Sequence, residues 1–576
     1  MSEQAEQEPR KRFDWRGLDR RDKQALGLLL LIVTLGMGLR FWGLTWSLPD
    51  ARHPVATYHP DERVNLNAAL QADIAHGKFD IQLYNYGTFY FYLVDLAHIV
   101  GKGYGFIPTP TPQSESRPPT LAEEAAITAK YFLVGRLVSV LFGTATLPVL
   151  YALGRRMFGR RAGLTAALLY GIAPLAVLHA HFLTVDVTAT FFVTLTLLWS
   201  ARLLTSQTWP DYALAAVWAG LAAATKYNAG LVLIAPIAAH FLRKDASACK
   251  THRAGQCVVL IAVALLTFLI ACPGPWLNFD AFWNGIEGYP GSGLRYELFE
   301  HARSGHGYLF TDTGNGWWYH LAVSLPFGLG PALLIAALLG LIPALQQRTK
   351  SDWLLLAFFL VYFGLTGFSN VRFARYMLPL FPVFCLWAAR FLLGVKIRGI
   401  ASGGGFLIVP PLTLYGSCSL LLCMTTQDPR DAAADYLERT APQGASVAFA
   451  TVPWFYSPPL SPRFGDLAAP SRARAATEVT RFKLILPPEK PDRSREDWDR
   501  SVLTPAPDYV VLSDIETMHP YTRLHLAAPT AFMNSLPYKN KTVFAPPATW
   551  DPLYRNAAII PEDILYVRPT ITLYHP

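Results

Sequence analysis

Charge is what this sequence has least of. Only 16% of its 576 residues are Asp, Glu, Lys or Arg, against 52% hydrophobic, whereas a soluble domain sits near a quarter charged. The apolar residues come in long blocks, each near the roughly 20 residues that cross a bilayer. The chain therefore reads as a polytopic membrane protein. Cysteine is scarce too. The six (Cys249, Cys257, Cys272, Cys385, Cys418 and Cys423) stand in or beside apolar segments. None has metal-ligand spacing and none falls in residues 425–576, so they read as small buried residues. No run of interleaved basic and aromatic residues suggests a nucleic-acid groove. The net charge of +9 is better placed in cytoplasmic loops. No small-residue cleavage site follows the first hydrophobic block, which comes after Arg10, Lys11, Arg12, Arg16, Arg20, Arg21 and Lys23. That block reads as an uncleaved signal anchor. No internal repeat shows.

What is present organises into eleven expected spans. The first covers residues 25–44, the second 131–153 and the third 162–178. A fourth ends near 203, the fifth covers 211–224, and a sixth ends near 242. The rest cover 256–276, 319–344, 353–368, a stretch following 376, and 406–424. This count puts residues 1–24 in the cytoplasm, every dense basic loop beside them, and residues 425–576 outside. The first outer loop, 45–129, is expected to hold a helix over 61–77 and a second over 84–103 lying in the interface, since Asp95 and His98 interrupt it. Residues 106–120 are a Pro/Ser/Thr-rich connector, and 277–318 form a large outer loop. Residues 425–576 read as a small α/β domain, with a helix near 431–439 and strands at 446–452, 509–513 and 564–574.

The polar residues that interrupt this pattern gather on one side. Tyr58-His59-Pro60-Asp61-Glu62-Arg63 sits just beyond the first span. His179, His181 and Asp186 follow the third, Lys226 the fifth, and Arg372, Arg375 and Tyr376 the ninth. Polar groups at membrane depth are costly and persist where they line a cavity or meet a partner. A carboxylate among cations suits one kind of chemistry. It takes a proton from an attacking hydroxyl while Arg and Lys hold a phosphate leaving group. Asp61 and Glu62 could also simply favour a helix start, and the cations could snorkel to the interface. Trp283, Trp317 and Trp318 could stack on a sugar or belong to an interface belt.

The order of these motifs resembles the GT-C membrane glycosyltransferases of the protein O-mannosyltransferase and lipid A aminoarabinose-transferase type. Asp61-Glu62 matches their acidic motif in the first outer loop. Asp186 matches an aspartate opening a later span, and Thr225-Lys226 a Thr-Lys corner. Arg375-Tyr376-Met377-Leu378-Pro379 matches a late Arg-Tyr-x-x-Pro segment. Arg40 and Arg136 also stand where such chains carry an arginine. The resemblance covers roughly residues 25–395. It implies transfer of a monosaccharide from a polyprenyl-phosphate donor to a glycan, lipid or protein hydroxyl at the outer face of the cell membrane, with inversion. It implies catalytic Asp61 and Glu62. Lys226, Arg375, Arg372, Tyr376, Arg40 and Arg136 would bind the donor phosphate, and Asp186, His181 and His59 would form a second acidic site. Trp283, Trp317 and Trp318 would contact acceptor or sugar. No resident metal is expected, although some GT-C enzymes hold a divalent cation at the acidic motif. One departure stands out: relatives carry Lys-Pro-Pro where this chain reads Asn85-Tyr86-Gly87-Thr88. A lipid-linked-sugar flippase or another polytopic transporter is the alternative.

Overall fold

A computed structural model describes residues 19–108, 120–206, 208–243, 250–286, 291–304, 307–394, 403–461, 481–488, 498–555 and 559–576. Arg10, Lys11, Arg12, Arg16, Cys249 and residues 109–119 of the connector 106–120 lie outside the described residues.

Helix α1 (Arg20–Phe41) opens on Asp19, whose side chain caps the backbone of Asp22. The first loop carries α2 (Glu62–Gln71) and α3 (Phe89–Gly103). A 3-10 turn, Ile74–His76, closes on Gly77 at φ 74°. The expected first-loop helix thus stops six residues early, at Gln71. Helix α4 (Leu121–Phe158) is 38 residues, about 57 Å at the α-helical rise, and so far longer than a bilayer requires. Its extra length at the start follows from a capping box between Thr120 and Glu123. Helices α5 (Arg160–Gly171) and α6 (Pro174–Leu178) are bent 65° apart. Proline cannot donate to the ladder and pushes the residue before it into extended backbone; Ala173 sits at ψ 127°. The bend delivers the His179–His181 turn to the start of α7 (Val185–Leu203). Helix α8 (Trp209–Thr225) ends where Lys226 turns extended. The chain then returns through Tyr227–Leu233 into α9 (Ile234–Leu242), and α10 (Lys250–Ala271) follows.

Among the described residues, four helices are long and apolar enough to cross a membrane, or up to six if each sharply bent pair is one span. Helices occupy the other expected stretches as well, but proline and glycine breaks divide several of them into shorter pieces. Gly316–Leu329 and Pro331–Gln347, which overlap the expected eighth span and extend past both its ends, meet at 119°.

Among the described residues, the C-terminal region builds a five-stranded sheet in the order β2-β1-β3-β5-β4. The strands are β1 (Ser446–Phe449), β2 (Lys483–Ile485), β3 (Tyr509–Ser513), β4 (Asn540–Phe544) and β5 (Ile571–His575). The first three are parallel, and β5 joins antiparallel with Val511 opposite Leu573. The strand expected over 564–574 needs correction. Only its last part pairs; Glu562–Leu565 is a short helix. Pro561 stands at its N-cap, with Glu562 and Asp563 in the first turn, where acids are favoured. That helix does not pack with the sheet's own core. Ile564, Leu565, Tyr566 and Val567 are buried in the large apolar core of the helical bundle.

Candidate active site

Asp61 occupies the N-cap position of α2, yet its side chain makes no capping bond. The carboxylate is turned away from the helix and accepts from Arg375 Nη2 at 3.1 Å. Its side chain is 30% exposed, enough to meet a ligand. Behind it, the backbone N–H of Asp61 donates to His59 Nδ1 at 3.2 Å. The His59 ring is buried between Phe182 and Tyr566, with centroids at 4.4 and 4.9 Å. Burial pushes its imidazole down to about 3, so His59 is neutral.

Arg375 is the junction of the site. Its Nη1 donates to Asp563 Oδ1 at 2.5 Å and its backbone N–H reaches Asp563 Oδ2 at 3.3 Å. One guanidinium therefore ties the first loop to the C-terminal helix Glu562–Leu565. A second ion pair lies close by. Lys226 Nζ donates to Asp186 Oδ1 at 2.5 Å and stands 4.6 Å from the centroid of the Tyr376 ring. An ammonium has three donors and Asp186 takes one. Segment 85–88 presses on this corner. A Cβ on Gly87 would lie 1.9 Å from the Ala224 carbonyl oxygen, so only glycine permits the approach. Tyr86 consequently faces Lys226, 5.9 Å from ring centroid to Nζ.

A cavity of about 310 Å³ opens beside Arg375; Asp186, Lys226 and His59 do not line it. Asp61, Arg375 and Tyr376 line it, beside Tyr86, Tyr296 and Glu297 from the outer loops. The C-terminal region supplies Trp454, Phe455, Glu562 and Tyr566. Two of the carboxyls are held toward the neutral form. Burial raises Glu297 to about 7, against the opposing bond from Asn85 Nδ2 at 2.9 Å. Burial, with Asp563 beside it, raises Glu562 to about 8. Neutral carboxyls both donate and accept, and aromatic faces with polar edges suit sugar rings. Among the described residues no cluster of three or more His, Cys, Asp or Glu could hold a metal ion.

Several expected site residues are placed elsewhere. Glu62 is fully buried and faces away from the cavity. Its Oε1 accepts from Arg136 Nε and the Leu183 N–H, both at 2.8 Å. Its Oε2 accepts from Arg136 Nη2 and Thr57 Oγ1, both at 2.7 Å. Arg136 spends its remaining fork on the Leu44 and Trp46 carbonyls. Arg40 is not snorkelling but buried, donating to the Gly36 and Gly171 carbonyls. His181 bridges the Val177 and Trp42 carbonyls. Arg372 binds Thr313, the Gly314 carbonyl and the Ser369 carbonyl, securing the outer loop. Trp317 donates to the Gly364 carbonyl at 3.0 Å, Trp318 is exposed, and Trp283 stacks on Phe279. None of these residues lines the cavity. Most of their polar atoms meet partners inside the fold or turn outward, although the buried Arg40 Nε has no hydrogen-bond partner among the described residues; these placements are the physical ground for revising their expected contact with substrate.

Sequence reading missed Glu297, Glu562 and Asp563 as site residues. One signal was there to find: Pro561-Glu562-Asp563 repeats the proline-then-two-acids pattern of Pro60-Asp61-Glu62. A second buried cation explains how the C-terminal region is held. Arg430 donates to Asp428 and to the Phe455 and Tyr566 carbonyls, and lies 3.8 Å from the centroid of the Tyr58 ring. Replacing Arg430 with Leu is expected to loosen residues 429–576 from the first loop. Limited proteolysis would read this as faster cleavage between the bundle and the sheet.

Residues 121–272, from α4 to the end of α10, match the family described as dolichyl-phosphate-mannose-protein mannosyltransferase. The resemblance is to GT-C membrane glycosyltransferases. Among solved structures, ArnT from Cupriavidus metallidurans in the apo state is 14% identical with a TM-score of 0.48, covering 96% of this chain and 98% of that one. The same protein bound to undecaprenyl phosphate is 15% identical with a TM-score of 0.44, over 95% and 98%. The Archaeoglobus fulgidus oligosaccharyltransferase in the apo form is 13% identical with a TM-score of 0.46, over 88% and 70%. No curated protein matches the chain by sequence.

Proposed function

We propose that the chain is a membrane glycosyltransferase. It moves a monosaccharide from a polyprenyl-phosphate donor to an acceptor hydroxyl, inverting the anomeric centre. The observation that carries this reading is the uncapped Asp61 carboxylate, facing the cavity and oriented by Arg375. The mannosyltransferase match over residues 121–272, which include Asp186 and Lys226, supports the same class. The acceptor oxygen attacks the anomeric carbon from the face opposite the lipid phosphate. A carbon–oxygen bond forms there as the bond to the phosphate oxygen breaks, and the phosphate leaves with the electron pair. Asp61 takes the acceptor proton. Arg375 and Lys226 offset the charge growing on the leaving phosphate. The cavity belongs to the extracytoplasmic face of an eleven-span protein, and the acceptor is a glycan, lipid or protein hydroxyl entering past Trp454 and Phe455.

The test uses the purified full chain in lipid nanodiscs, offered a panel of polyprenyl-phosphate sugars, with release of polyprenyl phosphate as the readout. Asp61-dependent release is expected for one donor. No release with any donor, with or without crude envelope acceptors, would favour a flippase.

Glu562 makes a separate pH prediction. Its folded value, about 8, stands above the ordinary 4.5, so the folded state holds a proton that the unfolded state gives up. That contribution to stability is complete below about pH 4.5 and is lost as pH rises through about 8. Glu562→Gln is expected to flatten the fall in Tm across that window. An unchanged slope would show that Glu562 ionises normally.

A further inference from the structure

A second cavity stands at the other end of the bundle. It is a cleft of about 1020 Å³ formed by the last turns of α4 and α7, the segment 347–351, and Arg390 on the helix Phe381–Leu392. Helix α7 measures its separation from the first site. Asp186 lies in the first turn and Arg202 in the last, about 24 Å apart at the α-helical rise. The two cavities therefore sit across most of a bilayer's hydrocarbon thickness. In the topology proposed above, on which this placement rests, the second one opens at the cytoplasmic leaflet.

Its lining is one-signed. Arg155, Arg156, Arg202, Lys350 and Arg390 face it, and among the described residues no carboxylate lines it. Asp22, Asp211 and Asp352 pair with Arg155, Arg202 and Arg390 from outside the lining. Two of these cations, Arg156 and Lys350, make no ion pair among the described residues. Arg156 donates to neutral partners, the Ala201 carbonyl at 3.2 Å and the Thr205 hydroxyl, with the Asp211 carboxylate near enough to act on it electrostatically. Lys350 begins the 18-residue helix Lys350–Gly367, whose positive dipole end adds to the field.

Solvated loop cations would not need the rest of the arrangement. The Arg202 guanidinium lies 4.2 Å from the centroid of the Trp199 ring, and that of Arg390 4.5 Å from Phe158. Stacking holds planar forks in fixed directions. Leu198, Leu204 and Met157 complete an apolar wall beside them. Cations on one side and hydrocarbon on the other match an amphiphile with a phosphate head. We infer that this cleft binds the phosphate headgroup of an anionic membrane phospholipid, with its acyl chains along the apolar wall. Basic pockets between helices at the cytoplasmic side are a recurrent way to hold such headgroups.

The test is a thermal-shift titration of the full chain in neutral detergent with three probes: short-chain phosphatidylglycerol, short-chain phosphatidylcholine and inorganic phosphate. Phosphatidylglycerol is expected to raise Tm saturably, and the other two to leave it unchanged. In the double variant Arg156→Gln/Lys350→Gln, the apparent affinity for phosphatidylglycerol should fall about 25-fold, near five-fold for each cation removed. The variant Arg20→Gln/Arg21→Gln removes the same charge from α1, outside the cleft, and should leave that affinity unchanged. Equal stabilisation by phosphatidylcholine would overturn the inference on the unmodified chain. Stabilisation by inorganic phosphate alone would assign the cleft to free phosphate and overturn the lipid. An equal loss in both double variants would reduce the effect to general surface charge and overturn the site.

Discussion

Asp61→Asn is expected to lower the rate of polyprenyl-phosphate release by roughly 10²–10⁴-fold, the range that removing a positioned general base commonly costs. The change preserves size and keeps an oxygen for Arg375 to meet, so the geometry of the site should survive. Arg375 also keeps Asp563 at 2.5 Å, which limits any loss of folding. What disappears is the capacity to accept the proton. The assay must therefore report activity per folded molecule, with Tm measured on the same preparation. Full transfer by a folded Asp61→Asn protein would remove Asp61 from the chemistry. The adjacent acid, Glu62, predicts the opposite pattern of effects.

Glu62→Ala is expected to destabilise the protein by about 3–5 kcal/mol, the usual cost of removing one partner from a buried ion pair. It strands the fully buried Arg136 without its two bonds to carboxylate oxygens. It also leaves the Leu183 N–H, at the approach to α7, without its acceptor. Burial alone would favour a neutral Glu62; the Arg136 charge overrides it and holds the carboxyl below its usual range. Arg136→Ala should cost a similar amount, since it leaves the carboxylate unpaired. Replacing both by Leu should cost clearly less than the two single changes added together, because no orphaned charge remains. Denaturation of the purified protein followed by circular dichroism checks all three. A Glu62→Ala protein with unchanged stability and no activity would return Glu62 to the catalytic role that the sequence suggested.

These two residues show where legibility ended. Asp61 and Glu62 are neighbours of one chemical class, and nothing in their order separates them. Placing them at the start of α2 sends one side chain toward the cavity and the other toward α4. The same division runs through the arginines. Arg375 reaches the site, whereas Arg40 and Arg136 complete carbonyl and carboxylate shells inside the bundle. A polar residue that interrupts an apolar run announces that it has a partner. It does not say whether that partner is a substrate or another part of the fold.

The sequence by itself determined the apolar blocks, the sidedness expected of the basic loops, and the set from which Asp61, Asp186, Lys226, Arg375 and Tyr376 were drawn. These are consequences of local composition and spacing, which the bilayer and the helix period act on directly. Only the tertiary structure decided that the site draws on residues nearly the whole chain apart. Arg375 joins Asp61 to Asp563, positions separated by 502 residues, as the pairs to Arg375 are by 314 and 188. The stretch around Asp563 read locally as a strand, because Ile564, Leu565 and Val567 are apolar residues without a decisive period. Its helix, and the passage of Glu562 and Tyr566 into the cavity, follow from burial in the bundle's core. That burial is a long-range gain in apolar contact, and no window of local sequence contains it.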